Sequence, residues 1–248
     1  MTTLDAFFDG AVQLRQPRAG HRVGLDALLL ASATPPATQG LILDIGAGTG
    51  LVGLAAAYHA PQAQFGLVEI DPQACAFARE NIVLNQLQAR GAVYEADVAS
   101  PAARRREGLA DESARLVLTN PPFYDAKRVQ VSPDPEKARA HVAAMPLVDW
   151  TRACLALLAP GGTFVMIHRA DALADCLAAL NDRLGAIAIT PVTTRIRAPA
   201  TRILLRGVKG SKAPLSLLPS LTIHHEGGAT TPQAQQLNKG VTLDQLSH

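Results

Sequence analysis

The sequence predicts an α/β protein built on a doubly wound, mostly parallel sheet that closes with a C-terminal antiparallel hairpin. Three observations predict it. From residue 41 onward, short apolar runs alternate with segments of helical periodicity, glycines follow the first of those runs directly, and acidic side chains stand at three successive strand ends. Strand–helix alternation implies parallel strands covered by helices on both faces. Ligands of such sheets lie beyond the carboxyl ends of the strands, where strand order reverses.

The elements follow in order. Residues 1–40 read as an N-terminal extension leading into a short helix from Asp26 to Ser32. Leu41 to Ile45 is a buried strand, Gly46 to Gly50 a turn, and Leu51 to His59 a helix stopped by Pro61. Gln64 to Ile70 forms a second strand. Asp71-Pro72 supplies an N-cap with proline at the first helical position, and Cys75, Ala78 and Ile82 then share one helical face. Ala92 to Asp97 and Arg115 to Thr119 are the third and fourth strands. Leu147, Trp150, Cys154, Leu157 and Leu158 form a helical stripe, ended by Pro160-Gly161-Gly162. Thr163 to His168 is the fifth strand, and Leu173, Cys176, Leu177, Leu180 and Leu184 mark another helix. Ala186 to Val192 and Thr201 to Val208 have no helix between them and form the hairpin. Residues 226–248 are Gly, Thr, Gln and Asn with few apolar residues, a composition that predicts a mobile tail. No internal repeat is present.

Composition narrows the function classes. Apolar residues make up 48% of the 248 and charged ones 18%, enough for a sizeable core and too apolar for wholesale disorder. No apolar run reaches the roughly 18 residues that a membrane span needs. Met1-Thr2-Thr3-Leu4-Asp5 lacks the basic start of a secretory signal, so the expected location is cytoplasmic. Cys75, Cys154 and Cys176 are too few for a disulfide framework and lie on apolar stripes, as buried thiols do. The adjacent His224 and His225 have no matching ligands elsewhere, so no metal is expected.

The first strand ends in Asp44-Ile45-Gly46-Ala47-Gly48-Thr49-Gly50. Gly46, Gly48 and Gly50 allow a sharp turn and close approach of a ligand to the backbone. A glycine-rich turn alone also serves dinucleotides. Asp44 discriminates: a carboxylate there repels a pyrophosphate, yet suits the cationic amino-acid end of S-adenosylmethionine, directly or by fixing the loop. Glu69, at the tip of the second strand, can accept both hydroxyls of a ribose. Asp97, at the end of the third, can accept from an adenine amino group.

The fourth strand runs into Asn120-Pro121-Pro122-Phe123-Tyr124. An exocyclic base nitrogen is a poor nucleophile because its lone pair is delocalised into the ring. Two acceptors on its two hydrogens, the Asn120 side-chain oxygen and the Pro121 carbonyl, make it more pyramidal and electron-rich. Pro121 and Pro122 stiffen the loop, and Phe123 or Tyr124 offers a face for the base to stack on.

These residues resemble the class I methyltransferase superfamily over about residues 20 to 225: D-I-G-A-G-T-G its cofactor loop, the V-E-I-D acid its ribose contact, N-P-P-F its amine-methylating motif. The resemblance implies a seven-stranded sheet with one antiparallel strand from the final hairpin, a methyltransferase domain over 41–225, and S-adenosyl-L-methionine as cofactor. Within the superfamily the chain is most similar to bacterial tRNA (adenine-N6)-methyltransferases, which act on the anticodon-adjacent adenosine of a valine tRNA. Gly24-Leu25-Asp26-Ala27-Leu28-Leu29-Leu30 resembles their G-T-D-A-x-L-L stretch, which implies Asp26 in the cofactor site alongside Asn120. The stretch from Lys137 to Trp150 is similar too. Leu25 stands where threonine is usual, and Leu-Asp also occurs in relatives that methylate guanine N2 of ribosomal RNA.

Charge supports a nucleic-acid partner. Arg195, Arg197, Arg202, Arg206, Lys209 and Lys212 fall within 18 residues that hold no acid. Arg104-Arg105-Arg106 precede the fourth strand, and Lys127 and Arg128 follow the acceptor motif. Such patches suit the phosphates of a structured RNA, tRNA first among them. Other acceptors for the same chemistry are guanine N2 of rRNA and a protein glutamine amide. A non-catalytic RNA-binding protein on this scaffold leaves Asp44 and Asn120 together without purpose, and an NAD-dependent oxidoreductase leaves N-P-P-F without one.

Overall fold

A computed structural model describes residues 2–18, 24–122, 145–180 and 183–246. The chain opens with an antiparallel pair, β1 (Thr2–Phe7) and β2 (Val12–Pro17), followed by α1 (Leu25–Ser32). The alternating series is β3 (Gly40–Ile45), α2 (Leu51–His59), β4 (Ala63–Glu69), α3 (Pro72–Leu84), β5 (Gly91–Glu95), α4 (Pro101–Arg106), β6 (Ala114–Thr119), α5 (Leu147–Leu157), β7 (Leu158–Arg169) and α6 (Leu173–Leu180). It ends with β8 (Leu184–Arg195), β9 (Ala200–Lys209), the short β10 (Ser216–Leu217) and β11 (Leu221–His224), and α7 (Pro232–Asn238).

The main sheet has the order β10-β8-β9-β7-β6-β3-β4-β5, with β11 also on β8. Pairs among β3 to β7 are parallel, and β9 alone runs antiparallel to its neighbours β7 and β8. The seven strands that the resemblance implied are therefore present with their single antiparallel member. Two short strands lengthen the β8 edge to give nine.

Alternation of side chains sorts the core into two layers. Ile42, Leu116, Leu118, Val165 and Ile167 face one cluster with α1, α2 and the apolar side of α3; Leu43, Ile45, Val117, Phe164 and Met166 face the other with α5 and α6. Apolar side chains thus point both ways from the central strands, as helix-covered parallel strands require.

Several expected boundaries shift. Pro160-Gly161-Gly162 does not separate helix from strand; it lies inside β7, which starts as soon as α5 stops. Gly161 adopts a left-handed φ of +72°, and the β6–β7 register jumps from Ala114↔Leu158 to Leu116↔Thr163, so the extra residues form a bulge. At the amino end, β2 presents its outer edge to α3. Asn81 Oδ1 accepts from the Arg15 N–H at 2.7 Å and its Nδ2 donates to the Arg15 carbonyl at 2.9 Å. Asn85 does the same for Gln13, at 2.8 and 2.7 Å. Residues i and i+4 of a helix match i and i+2 of a strand in spacing, so two carboxamides replace a missing strand. The segment read as a mobile tail carries α7, whose Ala234 and Leu237, three residues apart, are buried against the α1 side of the core.

Candidate functional site

Register along the sheet assembles the site. Ile45 is paired with Val68 on one side and Thr119 on the other. The next residues on three neighbouring strands are therefore Gly46, Glu69 and Asn120, side by side at the carboxyl edge. The chain proceeds from β3 outward to β5 and returns to β6 on the opposite side of β3, so this is also the point of strand-order reversal.

The cofactor loop turns through three left-handed glycines, Gly46 (φ +75°), Gly48 (+55°) and Gly50 (+97°). Gly46 and Ala47 N–H groups both donate to the Val68 carbonyl, at 2.9 and 3.1 Å, tying the loop to β4. A Cβ on Gly50 would lie 2.7 Å from Leu67 Cδ1, so that glycine serves packing, whereas a Cβ on Gly48 would meet open space. Glu69 is held by three backbone donors: Gly48 N–H to Oε2 at 2.8 Å, and Ile70 and Asp71 N–H to Oε1 at 2.8 and 3.0 Å. Asp71 caps α3 by accepting from Gln73 N–H at 2.8 Å, as its sequence context predicts.

Asp44 is 2% exposed, and its Oδ2 accepts the Gly53 N–H in the first turn of α2 at 2.9 Å. Of the two roles open to it, this geometry is that of fixing the loop. Burial pushes its carboxyl up to about 7; the Gly53 bond pulls it down and the Glu69 charge adds to the rise. Asp97, half-buried just past β5, accepts from Ala99 N–H at 2.9 Å. The carboxyl edge of β3, β4 and β5 thus carries fixed acceptors beside a loop with open space at Gly48.

On the other side, β6 delivers Asn120, half-buried, then Pro121, buried, and Pro122, exposed. Phe123, Tyr124, Lys127, Arg128 and the Lys137 end of the last similar stretch lie outside the described residues. A contact that the sequence alone did not reveal sits beneath this corner. Thr119, fully buried, donates its hydroxyl to the Ile45 carbonyl at 3.0 Å and accepts the Trp150 indole N–H at 2.9 Å. Its signal was slight: one threonine following the apolar run Leu116-Val117-Leu118.

Asp26, expected in the cofactor site, forms an ion pair in the structure. Its carboxylate pairs with Arg202 Nε at 2.8 Å, bridging α1 to β9, which lies beyond β7 on the Asn120 side. The basic segments also divide. Arg104 was expected to face phosphate, but it is 4% exposed, donating to the Val98 carbonyl at 2.7 Å and to Asp111 at 2.9 Å. Lys209 donates to the carbonyls of Leu155 and Leu158 at the end of α5, and to Glu112. Arg206 faces Asp244 at 3.5 Å. Arg105, Arg195, Arg197 and Lys212 are exposed, with no ion pair among the described residues. All three cysteines are buried, and burial pushes the Cys75 and Cys176 thiols up to about 12, far from nucleophilic use.

The donor set fits a cationic nucleoside. Glu69 and Asp97 are carboxylates, suited to ribose hydroxyls and an adenine amino group, and their negative charge favours a sulfonium and disfavours a pyrophosphate. An α/β sheet of this order with carboxylates at those strand ends fits the class of S-adenosylmethionine-dependent methyltransferases.

Comparison with known proteins agrees. Residues 20–189 match the family model described as methyltransferase small domain. The tRNA1(Val) (adenine(37)-N6)-methyltransferase of Aeromonas hydrophila is 33% identical over 198 residues, covering 78% of this chain and 79% of that protein. Its counterpart in Aeromonas salmonicida is 30% identical, covering 89% of each. A solved structure from Agrobacterium tumefaciens, described as a predicted O-methyltransferase, superposes with a TM-score of 0.74 at 32% identity, covering 88% of this chain and 97% of that one. The chain belongs to the methyltransferase small domain family.

Proposed function

We propose that this protein methylates the exocyclic N6 of adenine in RNA, with tRNA as the substrate class. The observation that carries the reading is the Ile45↔Thr119 pairing, which brings the glycine loop and Asn120-Pro121 to adjacent strand ends. S-adenosylmethionine supplies an electrophilic methyl group, so the protein's task is to orient a weak nucleophile. Asn120 Oδ1 and the Pro121 carbonyl accept the two hydrogens of the amine and draw its lone pair out of the ring plane. Pro121 and Pro122 restrict the loop, so those acceptors need little ordering when the base arrives. Phe123 or Tyr124 stacks on the extruded base. No general base is required before transfer, because the amine's proton is lost afterwards.

The names carried by the Aeromonas relatives support adenine in a tRNA as the acceptor. Among the described residues of the basic segments, Arg105, Arg195, Arg197 and Lys212 are exposed cations without an ion pair, open to phosphate. A tRNA substrate implies a cytoplasmic location.

The test is incubation with unmodified total tRNA and labelled cofactor, followed by nucleoside mass spectrometry. N6-methyladenosine is expected. N2-methylguanosine or a 2′-O-methylated nucleoside would each replace adenine N6 as the acceptor. Cofactor binding without any product would favour an RNA-binding role. Asn120→Ala should lower turnover by about 10²–10³-fold, the usual loss for a preorganised polar contact at a reacting group, while cofactor affinity holds within about twofold.

A further inference from the structure

The two halves of the site must be held at one separation, because transfer needs the donor carbon and the acceptor nitrogen in line. Misplacement by about 1 Å can cost on the order of 10²-fold in rate. Backbone pairing fixes the strands but ends at Ile45 and Thr119, where both loops leave the sheet. One side chain spans what lies beyond.

Trp150, on the second turn of α5, donates its indole N–H to Thr119 Oγ1 at 2.9 Å. The Thr119 hydroxyl in turn donates to the carbonyl of Ile45, the residue before Gly46, at 3.0 Å. A hydroxyl has one proton to give, so these two bonds set its orientation. The far edge of the same indole underlies the loop: a Cβ built on Gly46 would lie 3.2 Å from both Cζ2 and Cη2. The ring therefore touches the first turn of the cofactor loop and, through one hydroxyl, the residue that delivers Asn120. Helix α5 is itself anchored at its carboxyl end, where Lys209 donates to the carbonyls of Leu155 and Leu158.

We infer that Trp150 is a positioning residue that sets the spacing between the cofactor loop and the amine-gripping Asn120-Pro121, acting through Thr119. The inference rests on the role proposed above for Asn120. Its signature is a split between binding and turnover. Trp150→Phe removes the N–H and shortens the ring on the Gly46 side, keeping an aromatic side chain on the same face of the helix. It should bind S-adenosylmethionine within about threefold of the parent yet lose about tenfold or more in kcat on tRNA, as loss of one aligning hydrogen bond allows. Thr119→Val should reproduce that loss, Thr119→Ser should rescue it, and Trp150→Phe with Thr119→Val should be no worse than either alone.

Trp150 is the only tryptophan in the chain, so its emission reads the loop directly. Titrating the full-length protein with S-adenosylmethionine should give a saturable fluorescence change in the parent and in Thr119→Val, with affinities that match calorimetry. Unchanged kcat in Trp150→Phe would overturn the inference, as would equal losses of turnover, cofactor affinity and melting temperature in Trp150→Phe and Thr119→Val. So would a tryptophan signal that ignores bound cofactor. If Asn120→Ala turns over normally, the acceptor assignment fails instead, and the fluorescence titration still tests the contact with the loop.

Discussion

On the β3–β4 side of the switch point the fixed groups are carboxyls held by backbone hydrogen bonds: three N–H groups converge on Glu69, and the buried Asp44 is tied to Gly53. On the β6 side, one strand away, the chain passes from Thr119 straight into Asn120-Pro121-Pro122, a neutral amide followed by two rings that restrict the backbone. The first arrangement suits a partner that carries positive charge and must be retained. The second suits an uncharged, planar amine that must be held still and released. Binding and turnover should therefore be separable by mutation, and pH should act through the first side.

The largest expected effect on cofactor binding lies with the charged half. Glu69→Ala removes a candidate ribose acceptor and the anchor of Gly48, and should weaken S-adenosylmethionine by roughly 100-fold, about 2.7 kcal/mol, in calorimetric titration. Turnover at saturating cofactor should fall much less than in Asn120→Ala. Equal losses of turnover in both would erase the division of labour.

Next comes Arg104, whose guanidinium holds the carbonyl of Val98, the residue after Asp97. Arg104→Ala leaves that carbonyl unpaired under cover and should cost on the order of 2 kcal/mol, seen as a fall of roughly 4–8 °C in Tm. A melting curve identical to the parent's would remove Arg104 from the structural group and return it to the surface.

The third effect is one of pH. The folded carboxyl of Asp44 is pushed from its ordinary 3.8 to about 7 by burial, against the Gly53 bond and with help from the Glu69 charge. Between those values the folded chain keeps a proton that the unfolded chain releases. Stability from this group is thus present at low pH and is lost as pH rises through that window. A nearby sulfonium favours the ionised carboxylate, so cofactor binding should release a proton below pH 7, and affinity should drop by up to about tenfold per unit of acidification. Asp44→Asn keeps an acceptor for Gly53 and should flatten the profile; a pH-independent affinity in the parent would show that Asp44 does not sense the bound cation.

The smallest effect belongs to the exposed turn between β8 and β9. Arg197→Ala should leave Tm unchanged, weaken tRNA a few-fold and lower the salt slope of binding by about 1, as loss of one phosphate contact requires. Measured beside Arg104→Ala, it separates a cation that faces outward from one that serves the fold.

Local chemistry made much of this protein readable from its residues. The alternation of strand and helix, the cap at Asp71-Pro72, the turn glycines and the Asn-Pro-Pro exit each depend on near neighbours in the chain, and the structure carries all of them. Partnerships between distant residues were not readable. Arg202 meets Asp26 across 176 positions, Lys209 reaches Leu155 across 54, and Asn81 and Asn85 seize the edge of a hairpin 66 and 72 residues earlier. Periodicity shows that a helix has a buried face; it does not show what that face meets. Which arginines are free, what Asp44 grips and how Trp150 joins two loops were decided by strand order and register, because only the assembled sheet brings those atoms within hydrogen-bonding distance.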